Sequence, residues 1–292
     1  MEQGKKVKSA LVIQGGGTRG IYAAGVLDAF LLNKISFPYI IGTSAGSLCG
    51  ANYLSKDFGR SKYVVTELMS DPKFVSVRNR IFKGTIFDFD FLFHEVPKSI
   101  LPFNEKEFFN SSSLFYMVAT DMNSGKTIYF EKNAISDPYK GLAASSSLPL
   151  LSKPVNVDGY LCLDGGVAMS VPFRKPLEEE IEKIVVIATR NKGYRKKEIK
   201  NLQKIIAKSL YKDYPLLLNA FLKSHEKYNK DMDLLDRLEE EGRVCVIRPD
   251  FEVNVGVACK DKQELLSLYD RGFHDGTSNI NKIKKYLGDK YE

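Results

Sequence analysis

Histidine is scarce in this sequence. The 292 residues include three, at positions 94, 225 and 274. His94 lies in a phenylalanine-rich stretch, His225 in a charged helical pattern and His274 late in the last predicted helix. None stands where a predicted strand ends, which is where a Ser-His-Asp triad would need its base. Each histidine is therefore more typical of a surface or packing position than of a catalytic one.

Metal-binding and membrane-spanning signals are also missing. The four cysteines have no C-x-x-C spacing, so they indicate reduced core thiols in a cytoplasmic protein and neither a disulfide framework nor a zinc site. We expect no bound metal. No apolar stretch reaches the ~20 residues that span a bilayer, and no signal peptide is apparent in the polar N-terminus. Contact with a membrane is therefore expected to be peripheral.

The signals of nucleotide binding are incomplete. Gly15, Gly17 and Gly20 match G-x-G-x-x-G after a strand, but the acid that this fingerprint requires after the second strand is absent from residues 29–55. No G-x-x-x-x-G-K-[ST] loop exists, and we expect no cofactor. The net charge of +7 favours anionic surfaces, including lipid headgroups. It does not single out nucleic acid, which we do not expect as a partner.

The most informative stretch that is present surrounds Ser44. An apolar run at residues 39–41 leads into Gly42-Thr43-Ser44-Ala45-Gly46, and a helical pattern follows. A G-x-S-x-G turn between a strand and a helix holds its serine in strained backbone, so that the hydroxyl projects free of the sheet. Gly42 and Gly46 leave room where the two backbones meet. The spacing also occurs in turns without chemistry, so its position after a strand carries the prediction.

Two further turns are predicted to lie near Ser44. A buried strand at residues 10–13, a glycine loop at 15–20 and a helix at 21–33 precede the strand that leads to Ser44. This βαβ unit makes the two strands parallel, with their carboxyl ends at the ligand-binding edge of the sheet. The turn at residues 164–166, Asp-Gly-Gly, ends another predicted strand, which belongs to a hairpin.

Together these turns supply the parts for acyl transfer, which requires an activated hydroxyl, a base and donors for the oxyanion. Ser44 has the hydroxyl and Asp164 is the candidate base. The candidate donors are the backbone N–H groups of Gly15, Gly16 and Gly17. The simpler interpretation of Asp164 is that it belongs to a surface turn without catalytic function. Arg19 is either an exposed cation or a member of a salt bridge that braces the loop. A triad stays open, since two histidines follow Asp164, but a Ser-Asp dyad fits better.

The three motifs, in this order, resemble the patatin-like phospholipase family, and the likeness covers residues 9–178. Accessory stretches at residues 118–121 (Val-Ala-Thr-Asp) and 144–149 (Ala-Ser-Ser-Ser-Leu-Pro) agree. The resemblance implies that Ser44 is the nucleophile, Asp164 its base and the glycine loop the oxyanion hole, in an enzyme that hydrolyses lipid esters without a metal. The third motif often reads Asp-Gly-Ala in the family; Asp-Gly-Gly is an accepted variant. The supporting motif residues are Thr18, Arg19, Gly20, Gly42, Gly46, Gly165 and Gly166.

We therefore expect an α/β fold, with a mainly parallel central sheet flanked by helices in three layers and a helical C-terminal extension. Residues 9–178 are expected to form the patatin-like domain, and residues 179–292 to complete the sheet and add charged helices. The predicted function is a serine acyl hydrolase of lipid esters, of phospholipase A or lysophospholipase type. The alternatives are a soluble carboxylesterase or thioesterase, and a lipid-binding module with an inactive site.

Two stretches have less certain roles. Phenylalanines are frequent between residues 74 and 109, where they indicate an acyl-chain pocket or lid, or simply core. A basic stretch follows the predicted strand at residues 183–189. It is typical of a solvated face, or of contact with the headgroups of an anionic membrane. Its members are Arg190, Lys192, Arg195, Lys196, Lys197 and Lys200.

Overall fold

The structure is a computed structural model that describes residues 7–288. In this part of the chain, eight strands form one mixed sheet. The strands are β1 (Ser9–Ile13), β2 (Tyr39–Thr43), β3 (Leu114–Asp121), β4 (Thr127–Glu131), β5 (Val155–Val157), β6 (Tyr160–Asp164), β7 (Lys183–Ile187) and β8 (Val244–Ile247). The order β3-β2-β1-β7-β8 is parallel throughout. The other three strands are antiparallel additions at the β3 end of the sheet.

Strand β3 carries two shorter strands along one edge. β2 pairs with its first half, as far as Thr43 opposite Val118. β6 pairs antiparallel with its second half, where Asp164 lies opposite Ala119. β4 spans both halves and therefore occupies the other edge of β3. β2 and β6 thus point towards each other, and their carboxyl ends meet halfway along β3.

Thirteen α-helices lie within residues 7–288. They are α1 (Gly20–Leu32), α2 (Ala45–Leu54), α3 (Arg60–Thr66), α4 (Val77–Lys83), α5 (Val96–Ser99), α6 (Glu105–Asn110), α7 (Pro138–Ser145), α8 (Arg174–Glu178), α9 (Asn201–Leu210), α10 (Pro215–Leu222), α11 (Ser224–Glu240), α12 (Lys262–Ser278) and α13 (Ile280–Leu287). Helix α1 connects the parallel neighbours β1 and β2, which confirms the predicted βαβ unit.

Hydrophobic cores lie on both faces of the sheet, because successive residues of a strand point in opposite directions. In β1, Leu11 and Ile13 belong to a core that includes residues of α1, α2 and α12. Ala10 and Val12 belong to a second core, which includes residues of α11. The protein is thus a three-layer α/β structure with a mainly parallel sheet and a helical C-terminal region, which confirms the predicted fold class.

The C-terminal residues are part of this core. β7 pairs with β1 in the middle of the sheet, and α12 packs along α1. A Cβ on Gly272 would lie 2.1 Å from the carbonyl oxygen of Tyr22, so the close approach of the two helices requires glycine. The Tyr22 hydroxyl donates to Asp275 at 2.8 Å and the Tyr269 hydroxyl to Asp28 at 2.7 Å. Residues on both sides of position 178 therefore share one core.

Two predicted helices are interrupted. The helices expected at residues 214–240 and 262–287 are split at Lys223 and Asn279. The ψ angle is 6° at Lys223 and −2° at Asn279, so the backbone leaves the α-helical region at each. Neither residue is glycine or proline, and periodicity alone therefore predicted continuous helices.

Candidate active site

Ser44 lies where β2 ends and α2 begins. Its φ is +56° and its ψ −125°, a backbone conformation that a residue with a side chain adopts only under strain. This tight turn is possible because Gly42 and Gly46 have no Cβ atom. A Cβ on Gly42 would lie 2.5 Å from the carbonyl oxygen of Gly46, and one on Gly46 would lie 2.4 Å from that of Ile13. The predicted strand-turn-helix context of Ser44 is confirmed.

The side chain of Ser44 donates a hydrogen bond to Asp164. Ser44 Oγ lies 2.6 Å from Asp164 Oδ2, at the point where β2 and β6 meet. The other carboxyl oxygen, Oδ1, accepts from the backbone N–H of Gly166 at 2.7 Å. Ser44 is 7% exposed and Asp164 3% exposed. Asp164 is thus a buried acceptor held by two donors, and its interpretation as a surface turn is wrong.

Burial raises the pKa of Asp164 to about 6. A buried carboxylate loses its hydration, and the protonated form is favoured. The hydrogen bonds from Ser44 and Gly166 and the positive charge of Lys196 act in the opposite direction. The carboxylate is therefore still mostly ionised at neutral pH, yet it is a stronger base than an exposed one.

Hydroxyl groups hold Ser44 and Asp164 in place. Ser145 Oγ accepts from the backbone N–H of Ser44 at 2.9 Å and donates to the carbonyl oxygen of Val118 at 2.6 Å. Thr120 Oγ1 donates to the carbonyl oxygen of Asp164 at 2.9 Å. Both hydroxyls belong to the accessory stretches, whose role the sequence did not reveal. The available signal for Thr120 was a single hydroxyl residue at the end of an apolar run.

The glycine loop lies beside Ser44 and carries unused donors. The N–H of Gly15 is occupied, because it donates to the carbonyl oxygen of Ser170 at 3.1 Å. The N–H groups of Gly16 and Gly17 have no hydrogen-bond partner within residues 7–288. Both glycines line the same cavity as Ser44. Of the three predicted oxyanion donors, only the N–H groups of Gly16 and Gly17 are therefore available in the described structure.

A C-terminal segment holds the glycine loop. The N–H of Thr18 donates to the carbonyl oxygen of Val257 at 3.0 Å, and its hydroxyl donates to that of Gly256 at 2.8 Å. Arg19 Nη1 donates to the carbonyl oxygen of Val255 at 3.2 Å. Arg19 forms no ion pair within the part of the chain that the structure describes. It does brace the loop, as one interpretation predicted, but through a carbonyl and not through a salt bridge.

No histidine approaches Ser44 or Asp164. All three histidines lie within residues 7–288. His94 and His274 are exposed, and His225 is half-buried on α11. None of them lines the cavity that contains Ser44. The side-chain acceptor of the Ser44 hydroxyl in the described residues is thus Asp164 and not a histidine.

Two cavities meet at Ser44. One has a volume of about 210 Å³ and is lined by Ser44, Asp164 and the glycine loop, together with Arg19, Arg190 and Lys196. The other has a volume of about 80 Å³ and is mostly apolar. Its apolar wall includes Leu48, Val64, Met69, Phe74, Phe87 and Phe89. Ser44 therefore lies between a cationic space and an apolar one.

The basic stretch after β7 divides between cavity and surface. Arg190 and Lys196 line the cavity, whereas Lys192 and Arg195 form exposed ion pairs with acids of α11. The interpretation as a solvated face is therefore wrong for Arg190 and Lys196. The sequence could not separate the two sets, because residues 188–200 form neither helix nor strand and have no periodic pattern.

Two further properties of residues 7–288 concern metals and membranes. They contain no group of three or more His, Cys, Asp or Glu side chains that could hold a metal ion. They contain no helix that is both long and apolar enough to cross a bilayer. Cys49, Cys162 and Cys245 are buried free thiols, as predicted, and Cys259 is half-buried.

A sequence model of one protein family, described as patatin-like phospholipase, matches residues 11–177. The chain belongs to this family. Ser44, Asp164 and the glycine loop all lie within the matched residues. A second model, of a domain of unknown function, matches residues 214–288. Neither match includes residues 178–213.

Two relatives share part of their length with this patatin-like protein. It is 29% identical over 188 residues to the uncharacterized protein YjjU of Escherichia coli, an alignment that covers 62% of this chain and 51% of the relative. It is 28% identical over 183 residues to Lysophospholipase NTE1 of Scheffersomyces stipitis, which covers 61% of this chain and 11% of the relative. The chain thus spans about half of the first relative and about a tenth of the second. Among solved structures, VipD from Legionella pneumophila aligns with 97% of this chain and 70% of its own, with a TM-score of 0.48 and 12% identity.

The raised pKa of Asp164 predicts a pH-dependent cost to stability. The carboxyl has a pKa of 3.8 when exposed and about 6 in the folded protein, so stability falls as pH rises between these values, and the full cost is present above the higher one. Asp164→Asn removes the charge and keeps an oxygen for the Gly166 N–H. We expect the gain in free energy of unfolding from this substitution to be up to about 3 kcal/mol larger near pH 7 than near pH 4. Urea denaturation of both proteins at the two pH values measures it; a gain that does not change with pH contradicts it.

Proposed function

We propose that this protein is a serine acyl hydrolase that cleaves ester bonds of lipids, with Ser44 as nucleophile and Asp164 as base. The observation that carries the proposal is the buried 2.6 Å hydrogen bond between Ser44 Oγ and Asp164 Oδ2, beside two unused N–H donors. Family membership supports acyl hydrolysis of lipids in general. The name of the relative Lysophospholipase NTE1 agrees with it.

The reaction proceeds in two halves. Ser44 Oγ attacks the ester carbonyl carbon while its proton passes to Asp164 Oδ2. The N–H groups of Gly16 and Gly17 and the positive end of α2 stabilise the oxyanion. The intermediate collapses, the C–O bond to the alcohol breaks, and the alcohol takes the proton from Asp164. Water, deprotonated by Asp164, then attacks the acyl-serine carbonyl carbon; the fatty acid leaves and Ser44 regains its proton.

The apolar cavity beside Ser44 is suited to an acyl chain. Phe74, Phe87 and Phe89 form part of its wall, whereas Phe91 and Phe108 are buried elsewhere in the core. Some phenylalanines of this stretch thus fit the interpretation as an acyl-chain pocket, and others fit the interpretation as core. Burial stabilises each methylene by about 0.8 kcal/mol. The cavity therefore favours an apolar acyl group over a polar one.

Two alternatives use the same site. A soluble carboxylesterase or thioesterase would share the dyad and the oxyanion donors but would have no need of the apolar cavity. A lipid-binding module would keep the cavity and lack turnover. We favour the phospholipase A or lysophospholipase type, because the apolar cavity begins at the proposed nucleophile.

Peripheral contact with an anionic membrane is part of the proposal. On α4, Val77, Ile81 and Phe82 are 73%, 71% and 77% exposed, and on α9 Leu202 and Ile205 are 68% and 66% exposed. We call these five residues the α4–α9 face. Exposed apolar side chains such as these are typical of a surface that enters a lipid interface.

Basic side chains accompany the α4–α9 face. Arg78 and Arg80 lie on α4, and Lys208 lies on α9. Burial raises the pKa of the Tyr211 hydroxyl, next to the end of α9, and the charge of Arg80 acts against this shift. That hydroxyl accepts from the N–H of Leu150 at 3.0 Å, and the two residues before Leu150 line the active-site cavity. The end of α9 is therefore connected to the wall of that cavity, which supports a membrane surface beside the proposed site. A cytoplasmic location remains a prediction from the sequence.

Covalent catalysis at Ser44 can be tested with a fluorophosphonate probe, which reacts with activated serines. We expect the probe to label the wild type and to leave Ser44→Ala unlabelled, because the hydroxyl of the proposed nucleophile is removed. Ser99→Ala, at the exposed end of α5, is the matched control and should label normally. Peptide mass spectrometry locates the label. Labelling that persists without Ser44, or an active wild type that never labels, contradicts the proposal, and an inactive wild type would favour the binding module.

The dyad itself predicts a second set of variants. Asp164→Asn should lower kcat by about a thousandfold, because an amide cannot accept the serine proton. His94→Ala, His225→Ala and His274→Ala should each keep most of the turnover. Steady-state hydrolysis of a soluble ester measures kcat, and circular dichroism checks folding. If a folded histidine variant loses its activity, the dyad is contradicted and a Ser-His-Asp triad is the better hypothesis.

Membrane contact through the α4–α9 face predicts weaker vesicle binding when its apolar groups are removed. The double variant Ile81→Ser, Phe82→Ser should bind anionic vesicles more than about tenfold less tightly than the wild type. Wild-type binding should weaken as salt rises, because the accompanying charges are screened. Leu32→Ser, 60% exposed at the far end of α1, is the control. Equal sedimentation of all three proteins with vesicles would exclude this face as the contact.

A further inference from the structure

A segment outside both family matches reaches the active-site cavity. Residues 178–213 lie between the matched regions. They include Arg190 and Lys196, which line the cavity together with Ser44 and Asp164. In the hydrolysis steps described above, neither side chain contacts the reacting groups, although the charge of Lys196 acts against the rise in the pKa of Asp164 that burial causes. The position of Arg190 and Lys196 beside the proposed nucleophile therefore indicates a role other than in the bond-breaking steps.

Contacts on either side fix the two residues in position. Arg190 Nη1 donates to the carbonyl oxygen of Val253, and the Arg190 guanidinium lies 4.2 Å from the centre of the Tyr194 ring. The Lys196 N–H donates to Asn229 Oδ1 at 2.8 Å, and Asn229 Nδ2 donates to the Lys196 carbonyl oxygen at 3.1 Å. Arg190 Nε is buried without a partner within residues 7–288. The Lys196 ammonium takes part in none of the ion pairs found there.

The cavity therefore carries an excess of positive charge. Arg19 lines it as well, and its Nε is also buried and unpaired in the described part of the chain. Asp164 is the single acid among the described lining residues, against three cations. Burial and the charge of Arg190 lower the pKa of Arg19 to about 10, and burial lowers the pKa of Lys196. A bound anion would restore the interactions that these desolvated cations lack.

We propose that Arg19, Arg190 and Lys196 form a subsite for the phosphate group of a lipid ester, and that Arg190 and Lys196 set a preference for phosphate-bearing over neutral substrates. This inference rests on the proposed hydrolysis at Ser44. Arginine presents paired N–H donors that match phosphate oxygens, and lysine adds a concentrated positive charge. The N–H groups of Gly16 and Gly17, which stabilise the oxyanion in the proposed mechanism, are separate from these three cationic side chains. The ester carbonyl and the phosphate of one substrate can therefore be bound at the same time.

The two cavities fit the two ends of such a substrate. Gly17, Ser44, Leu148 and Val257 line both of them, so Ser44 lies at their junction. In a glycerophospholipid or lysophospholipid, the glycerol backbone alone separates the phosphate from the ester carbonyl. With the carbonyl at Ser44, the acyl chain enters the apolar cavity and the phosphate enters the cationic one. A neutral glyceride would leave the cations without an anion.

The test compares two monomeric substrates that differ only in the phosphate, dihexanoylphosphatidic acid and dihexanoylglycerol. Both are used below their micellar concentrations, so that membrane binding does not contribute, and at a pH above the pKa of Asp164. For Arg190→Gln and Lys196→Gln, we expect the ratio of kcat/KM for the phosphate-bearing substrate to that for the neutral one to fall about tenfold, mainly through KM. Arg195→Gln and Lys197→Gln remove the same charge from exposed positions and should leave the ratio unchanged. Lys196→Arg, which keeps the charge, should restore most of it.

Each outcome decides between the proposals. A folded wild type that hydrolyses neither substrate removes the proposed function. Hydrolysis of both substrates with the same ratio in wild type and variants overturns the subsite and leaves the dyad intact. Inorganic phosphate, tested as an inhibitor of dihexanoylglycerol hydrolysis, separates a headgroup site from a site for a free anion. Inhibition that Lys196→Gln relieves, in an enzyme with no preference for the phosphate-bearing lipid, overturns the lipid assignment.

Discussion

The proposed active site depends on one hydrogen bond, between side chains that are 120 positions apart in the sequence. The sheet makes this bond possible because β2 and β6 meet end to end along β3. Ser44 follows the last residue of one strand, and Asp164 is the last residue of the other. Side chains alternate between the faces of a strand, so a shift of β6 by a single residue would turn Asp164 to the other face. The register of β3 with both neighbours therefore sets the geometry of the chemistry.

Two features of the site oppose stability. Ser44 is held at a positive φ, and Asp164 is ionised in a buried position at neutral pH. In the proposed mechanism both raise reactivity, since the strained turn presents the hydroxyl and the raised pKa strengthens the base. The charge of Lys196 offsets part of the carboxylate's desolvation, and hydrophobic cores lie on both faces of the sheet. The lysine that assists Asp164 is thus also one of the cations that an anionic substrate would meet.

Local motifs predicted the parts of the site well. The glycine loop and Ser44 each follow a strand, and Asp164 ends one; the patterns of these strands are readable in the sequence, and the structure brings all three features together. The end-to-end meeting of β2 and β6 was not predictable, because a hairpin signal does not say which strand the hairpin joins. Arg190 and Lys196 lie in irregular backbone, where no periodicity indicates which side chains turn inward. Their placement is decided by distant partners such as Val253 and Asn229.

The contact between Gly17 and Val257 joins the glycine loop near the N-terminus to a segment of the C-terminal region. A Cβ on Gly17 would lie 2.2 Å from the carbonyl oxygen of Val257, and the neighbouring Thr18 is hydrogen-bonded to the same segment. The loop that carries the proposed oxyanion donors thus packs against residues that the patatin-like match does not include. A transplant of residues 11–177 into another scaffold would carry the serine and its acid but would leave that loop without its support. A chimera that exchanges the C-terminal region of this protein must therefore keep these two segments as a matched pair.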